Sequence, residues 1–295
     1  MNLRKTALST AAAIGYALTR KLVPAAYAQD GLATVHSHAF MRDPRFIAAY
    51  DRGLRALGGS KDYHWHWRIH VGLWAADLAA KLPGDFVECG VNKGFLSSAI
   101  MQYLGWNDLD KSYYLLDTFA GVDERHLTPE ELASGAREKN AHNLRSGFYI
   151  GAIDEVAKNF SEWQNVRIVQ GSVPESLVNV TPSQVAFLHI DMNCAPPEVA
   201  AIRHFWHRLV PGAVVLLDDY AYFGFEAQKT AMDVFAQEHG VQICSLPTGQ
   251  GLLLKPPSTG ATEALVPCPR PSGAQGICRG PQGAARMSSC GSTFP

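Results

Sequence analysis

The segment Asp85-Phe-Val-Glu-Cys-Gly-Val-Asn-Lys-Gly94 constrains this chain more than any other stretch. A short apolar run ending in Glu88 leads into a turn bounded by Gly90 and Gly94, and then into a helical pattern from Phe95 to about Leu104. Strand, glycine turn and helix at that spacing form a β-α unit that brings backbone N–H groups and a helix N-terminus against a bound ligand. One glycine is missing. In the dinucleotide pattern G-x-G-x-x-G, the second glycine lets a pyrophosphate press against bare backbone. Asn92 stands at that place, so a dinucleotide would meet a side chain. A nucleoside ligand without phosphates makes no such demand, and S-adenosylmethionine is the expected one.

Downstream, strand and helix patterns alternate, which indicates an α/β fold with a doubly wound, mostly parallel sheet. Strands are expected at Asp85–Cys89, Tyr113–Asp117, Val166–Gln170, Val185–Asp191 and Ala213–Asp218. The runs Val-Ala-Phe-Leu-His-Ile and Ala-Val-Val-Leu-Leu are continuously apolar, as in strands covered on both faces. Val199, Ile202, Phe205, Trp206 and Leu209 make a helical stripe that Pro211-Gly212 is expected to close, and Ala227–His239 reads as the next helix. Val241–Leu246 and Gly251–Lys255 flank a loop too short for a crossover helix, so the sheet should end in an antiparallel hairpin. Asp43–Leu57 and His66–Leu82 read as helices, and the long Phe119–Trp163 excursion should carry helices that cap a ligand crevice.

A net charge of −1 over 295 residues argues against nucleic acid as the main partner, because phosphate backbones demand a basic surface. Six cysteines include no C-x-x-C pair, and Cys89, Cys194 and Cys244 read as buried free thiols of a reducing compartment. Residues 1–28 combine a basic start with an alanine-rich stretch too short to span a bilayer. Ala11, Ile14, Leu18 and Leu22 recur at helical spacing, which favours a leader helix over a signal peptide ending at Ala26-Tyr27-Ala28. A cytoplasmic protein without stable membrane insertion is the expectation. From Pro256 onward the chain is rich in Pro, Gly, Ser and Ala and should be a disordered tail. The expected division is a helical extension over 1–66, a catalytic domain over 67–256 and the tail over 257–295.

Ligands of an open α/β sheet lie outside the carboxyl ends of the strands. Acids terminate four of the five expected strands: Glu88, Asp117, Asp191 and the Asp218-Asp219 pair. Asp117 is placed to accept hydrogen bonds from ribose hydroxyls, or else to cap the following turn with Thr118. Glu88 would lie near the amino acid portion of the ligand, and Ser172 could reach an adenine edge. Asp191, Asp218 and Asp219 make a hard oxygen set suited to Mg²⁺. Consecutive strand residues point to opposite faces, so Asp218 and Asp219 can share a metal only if the strand breaks between them. His66 and His70 lie at i, i+4 but lack the glutamate of a zinc protease motif; with Trp65, Trp67 and Trp74 around them they read as a packed lid helix. Arg68 could meet a carboxylate in the crevice or pair at the surface, and His189 reads as buried structure.

Six runs carry a family resemblance: Gly84-Asp-Phe-Val-Glu-Cys-Gly-Val91, Leu116-Asp-Thr-Phe-Ala-Gly121, His189-Ile-Asp-Met192, Leu209-Val-Pro-Gly-Ala213, Leu217-Asp-Asp-Tyr220 and Pro247-Thr-Gly-Gln-Gly251. In order from about Trp67 to Lys255, they resemble the macrocin-type O-methyltransferases, class I S-adenosylmethionine enzymes that methylate sugar hydroxyls. The resemblance implies a seven-stranded sheet, S-adenosylmethionine at Glu88, Gly90, Gly94 and Asp117, and Mg²⁺ at Asp191, Asp218 and Asp219. Thr118 and Ser172 join the expected cofactor contacts, and Asp191 is the expected catalytic residue. One loop departs: the family's Asp-Leu-Tyr-Glu-Pro is Asn193-Cys-Ala-Pro-Pro197 here. The implied partner is a small-molecule hydroxyl acceptor, a sugar or glycoside, with room for self-association. The rivals are a nucleotide-dependent oxidoreductase, against which Asn92 weighs, and a non-catalytic binding protein on the same fold.

Overall fold

The computed structural model describes residues 24–59 and 61–257; the Ala11–Leu22 stripe and the tail from residue 258 lie outside them. The described chain opens with a hairpin, β1 (Tyr27–Gln29) and β2 (Leu32–Thr34), where the sequence pattern suggested a helical extension. Asp30 (φ 48°) and Gly31 (φ 72°) make its two-residue turn, which needs positive φ at both positions. Helix α1 (Pro44–Ala56) starts where expected, because the Asp43 side chain accepts the Arg45 N–H at 2.9 Å and Pro44 occupies the first turn. Helix α2 (His66–Ala80) then leads into the sheet.

The sheet strands are β3 (Asp85–Cys89), β4 (Tyr113–Asp117), β5 (Val166–Gln170), β6 (Val185–Ile190), β7 (Leu209–Leu217), β8 (Cys244–Ser245) and β9 (Gly251–Leu254), in the order β5-β4-β3-β6-β7-β9-β8. The first five pair in parallel, and β9 pairs antiparallel with both β7 and β8. All six residues of β6 are buried, as a strand covered on both faces requires. Phe86, Trp106, Tyr113 and Phe187 pack ring to ring across the centre. Helix α3 (Phe95–Leu104) buries seven consecutive residues, Phe95 to Met101, and packs under α1 and α2.

The excursion after β4 carries α4 (Pro129–Ala133), α5 (Ala136–Arg145) and α6 (Ile153–Phe160). Helices α7 (Ala195–Phe205) and α8 (Glu226–Glu238) pack against each other beyond β6 and β7. Two local expectations need correction. Pro211-Gly212 does not close a helix: α7 ends at Phe205, and the pair lies inside β7 at an irregularity between the Leu209 and Val214 pairings, where proline is tolerated. Cys244 is exposed, because β8 is a two-residue edge strand paired on one side only; Cys89 and Cys194 are buried. No helix among the described residues is long and apolar enough to cross a membrane.

Candidate functional site

The site begins where the parallel ladder runs one residue past the strands. Gly90 N–H donates to Leu116 O at 2.8 Å, Asp191 N–H to Cys89 O at 2.8 Å and Asp218 N–H to Ile190 O at 3.0 Å. Gly90, Asp191 and Asp218 therefore stand level at the carboxyl edge of the sheet. Strand β7 stops at Leu217, so Asp218 and Asp219 lie in a bend, free of strict strand alternation. A cavity of about 360 Å³ opens over this edge, lined by Glu88, Asp117, Ser172, Asp191, Asp218 and Asp219 among others. Gly90, Thr118, Arg68, Lys139 and His189 also line it, whereas Gly94 does not.

The glycine turn is held from below by Asp117. Its Oδ2 accepts the N–H groups of Val91 and Asn92, both at 2.7 Å, and its Oδ1 accepts that of Phe119 at 2.7 Å. A carboxylate offers about four acceptor positions. Thr118 Oγ1 lies 3.3 Å from Oδ1 but sits 2.5 Å from Gly121 O and spends its one proton there, which leaves Asp117 one open acceptor position. Asn92 has φ 49° and clamps the excursion: its amide donates to Phe148 O at 3.1 Å and accepts from Ile150 N–H at 2.9 Å. Gly94 (φ 81°) caps α3, and a Cβ there would meet the Phe160 ring at 2.4 Å. Ser172 faces Asp123, whose carboxyl is held well below the usual range by Arg125 first and then helped by Ser172.

Asp117→Ala should therefore lower the melting temperature as well as ligand affinity. It deletes three charge-assisted bonds, each worth about 1.5–3 kcal/mol where buried. Unchanged thermal unfolding would show that the turn holds its shape without it.

The acid cluster is electrostatically uneven. Burial opposes the Asp218 charge, yet the Arg68 guanidinium, His189 and Gln250 hold its carboxyl well below the usual range. Arg68 donates to Asp218 Oδ2, and Gln250 Nε2 reaches Oδ1 at 2.9 Å. Arg68 Nε also lies 3.2 Å from Asp30 Oδ2, so it joins the β1–β2 turn to the crevice. Asp191 is pushed well above the usual range by burial and then by Asp218 and Asp219; burial and Asp218 push Asp219 up to about 7. Asn193 Nδ2 donates to Asp191 Oδ1 at 3.0 Å.

Several groups here carried no clear sequence signal. His189 is buried between two acids, with Nδ1 3.0 Å from Glu88 Oε1 and Nε2 3.8 Å from Asp218 Oδ1. Burial opposes its charge, but Asp218 and Glu88 bring its pKa up to about 10, so the imidazolium bridges both ends of the cavity. Glu88 Oε2 is buried with no hydrogen-bond partner among the described residues. Lys139 of α5 faces Asp219 and Asp191 with its ammonium 3.9 Å from the Phe225 ring centre; burial lowers its pKa against the pull of those acids. Glu198 is buried on α7 and pushed well above the usual range by burial, then by Asp219 and Asp191. Neither sits at a strand end: only its place on the cavity wall marks Lys139, and only its buried position near Asp219 and Asp191 marks Glu198.

The sequence profile of the macrocin O-methyltransferase family (TylF) matches residues 74–244. This chain belongs to that family. Two curated relatives are similar to this family member: the 8-demethyl-8-(2,3-dimethoxy-alpha-L-rhamnosyl)-tetracenomycin-C 4'-O-methyltransferase of Streptomyces olivaceus, 25% identical over 169 residues, and the mycinamicin III 3''-O-methyltransferase of Micromonospora griseorubida, 24% identical over 166. The matches cover 56% and 54% of this chain but 62% and 63% of the relatives, so the chain spans about three-fifths of the length of the curated relatives it matches. Among solved structures, the O-methyltransferase NovP shares the fold at a TM-score of 0.54 and 19% identity, over 64% of this chain and 79% of NovP. The macrocin-family fold and the acid-ended strands therefore occur together in this chain.

Proposed function

We propose that this chain transfers a methyl group from S-adenosylmethionine to a hydroxyl of a sugar or glycosylated small molecule, with Mg²⁺ held by the acid cluster. One observation carries the reading: a single cavity is bordered by the glycine turn with Glu88 and Asp117, and by Asp191, Asp218 and Asp219. Methyl donor and acceptor would thus meet in one space, as transfer between them requires. The names of the two relatives give 4'-O and 3''-O methylation of a rhamnosyl-tetracenomycin and of mycinamicin III.

The residues fit the donor. The unpartnered Glu88 Oε2 is an acceptor for an ammonium group, and the open position on Asp117 suits a ribose hydroxyl. Gly90 and Gly94 let the turn keep its shape, Thr118 pins the chain after Asp117, and Ser172 borders the far wall. They also fit the metal in donor chemistry. All three acids offer hard oxygens, and Asp219, crowded by Asp218, accepts no side-chain hydrogen bond among the described residues. Mg²⁺ lowers the pKa of a hydroxyl and stabilises the charge that develops on its oxygen.

The chain's own side chains do the rest. His189 ties Glu88 to Asp218 and so fixes the donor end relative to the acceptor end. Lys139 accepts the hydroxyl proton; burial has already weakened its hold on its own proton. S-adenosylmethionine held by Glu88, Gly90 and Asp117 would supply an electrophilic methyl group with its sulfur as the leaving atom.

Radiolabelled S-adenosylmethionine incubated with a panel of glycosylated acceptors and Mg²⁺ is expected to label at least one of them. No transfer across the panel, with cofactor binding intact by calorimetry, would leave a binding protein. Lys139→Met should lower kcat by about 100-fold, the lower range for a lost general base, with cofactor affinity retained. An unchanged kcat would take Lys139 out of the proton transfer.

A further inference from the structure

The sequence pairs His66 with His70, but the structure parts them. His70 stacks on Phe40 with ring centroids 4.0 Å apart, while His66 stacks on Tyr50 at 4.5 Å. The partners of His66 lie upstream. One donor atom from each of Asp62, His64 and His66 lies within 4.8 Å of the other two, and this is the group of three potential ligands with that property among the described residues. We propose that Asp62, His64 and His66 form a binding site for one zinc-like divalent cation, separate from the acid cluster, which clips the loop before α2 to the start of that helix.

The surroundings favour this use of the three side chains. Asp62 Oδ1 is already occupied, accepting the Tyr50 hydroxyl at 2.7 Å and the His64 N–H at 2.7 Å. That leaves Oδ2, which faces His64 Nδ1 at 3.2 Å. Hydrogen bonds that orient a ligating carboxylate in this way are the usual outer support of a metal site. The His66 ring is held between Tyr50, stacked at 17°, and Tyr27, edge-on at 87°, and the Tyr27 hydroxyl donates to His64 O at 3.0 Å. The His64 ring lies 5.7 Å from that of His66 and nearly parallel to it. His64 also holds φ 59°, a backbone conformation that favours glycine, so the loop spends strain to keep this ring where it is.

Two imidazoles and one carboxylate suit a borderline cation such as Zn²⁺, with water completing a tetrahedron, and suit Mg²⁺ poorly. The oxygen-only cluster of Asp191, Asp218 and Asp219 has the opposite preference. The two places therefore sort cations by chemistry. The clip also has a route to the cavity: Trp65, between two of the ligands, and Arg68, two residues after the last one, both line it. A cation there sets how the start of α2 presents these two side chains.

The test uses the full chain without an affinity tag, stripped by chelator and titrated with Zn²⁺ against a chromophoric competitor. One equivalent should bind at micromolar free Zn²⁺ or tighter. His64→Gln and His66→Gln should each weaken it at least about ten-fold, and Asp191→Asn should not. The Co²⁺ form should show an absorption spectrum without the thiolate charge-transfer band that cysteine ligands produce. His64 is exposed, so His64→Gln should fold with an unchanged circular dichroism spectrum, which keeps the comparison meaningful if His66→Gln does not. Absence of binding at micromolar Zn²⁺, undiminished binding in His64→Gln, or a thiolate band would overturn the proposal.

Discussion

Gly90→Ala is expected to leave little folded protein. Gly90 has φ 92°, and a Cβ built there would lie 1.7 Å from the Asp191 carbonyl oxygen and 2.4 Å from its carbonyl carbon. Both partners are backbone, so no rotamer can relieve the overlap. The strands carrying them are already joined by the 2.8 Å bond from Asp191 N–H to Cys89 O. Backbone strain at such φ costs about 1–3 kcal/mol, and an overlap with backbone that only a shift of β3 from β6 can relieve costs more than the roughly 1–3 kcal/mol of ordinary overpacking. A domain of ordinary stability holds about 5–15 kcal/mol in all. Gly224→Ala is the control, because its φ is 94° and none of the described residues lies within 4 Å of the added carbon. Urea unfolding should show a modest loss for Gly224→Ala and a collapse of the transition, or of soluble yield, for Gly90→Ala. Equal losses in the two would mean that strain alone, and not the close approach of β3 and β6, makes glycine necessary at position 90.

That close approach also explains why the centre of the fold was readable from sequence. A buried parallel strand reads as a near-continuous apolar run, and the turn after such a strand must contain glycine where another strand end comes near; Val185–Ile190, apolar but for His189, and Gly90 meet these conditions locally. The acids Asp117, Asp191 and Asp218 were legible for the same reason, since a strand end is a sequence position. The N-terminal hairpin was not read, although Asp30-Gly31 is a strong two-residue turn signal. Its strands are three residues each, too short for alternation to stand out beside the alanine-rich segment before them. Lys139 was not legible because a helix shows which residues share a face, not which crevice that face will border, and Glu198 because its burial beside Asp219 and Asp191 follows only from the packed fold. His189 shows the limit most clearly. Alternation puts it on the face of Asp191, two residues on, but its charge comes from Glu88 on one strand and Asp218 on another, and that pairing exists only once the register is known.

Chelation of divalent cations is expected to abolish methyl transfer and leave S-adenosylmethionine binding largely intact, because the bonds that orient Glu88 and Asp117, from His189 and from the Val91, Asn92 and Phe119 N–H groups, are made by protein groups and not by a metal. Mg²⁺ should restore turnover. Loss of several kcal/mol of transition-state stabilisation corresponds to more than about 100-fold in rate, and Asp191→Asn should approach the same level, since an amide holds a hard dication less well than a carboxylate. The pH dependence has a definite sign. Asp219 titrates near 7 in the folded protein, against roughly 3.9 when unfolded, so the native state binds the extra proton between these values. Its contribution to stability is therefore fully present at low pH and is lost as pH rises through 7. A dication needs the carboxylate and competes with that proton. The rise in melting temperature on adding Mg²⁺ should thus be larger at pH 8 than at pH 6. Asp218 is already paired with Arg68, so Asp218→Asn and Asp219→Asn should differ: the first frees a buried guanidinium, and the second removes the group whose proton the metal displaces. Full activity in excess chelator, or a Mg²⁺-induced shift that is the same at both pH values, would leave the three acids as fixed charges of the cavity and the methyl donor site unaffected.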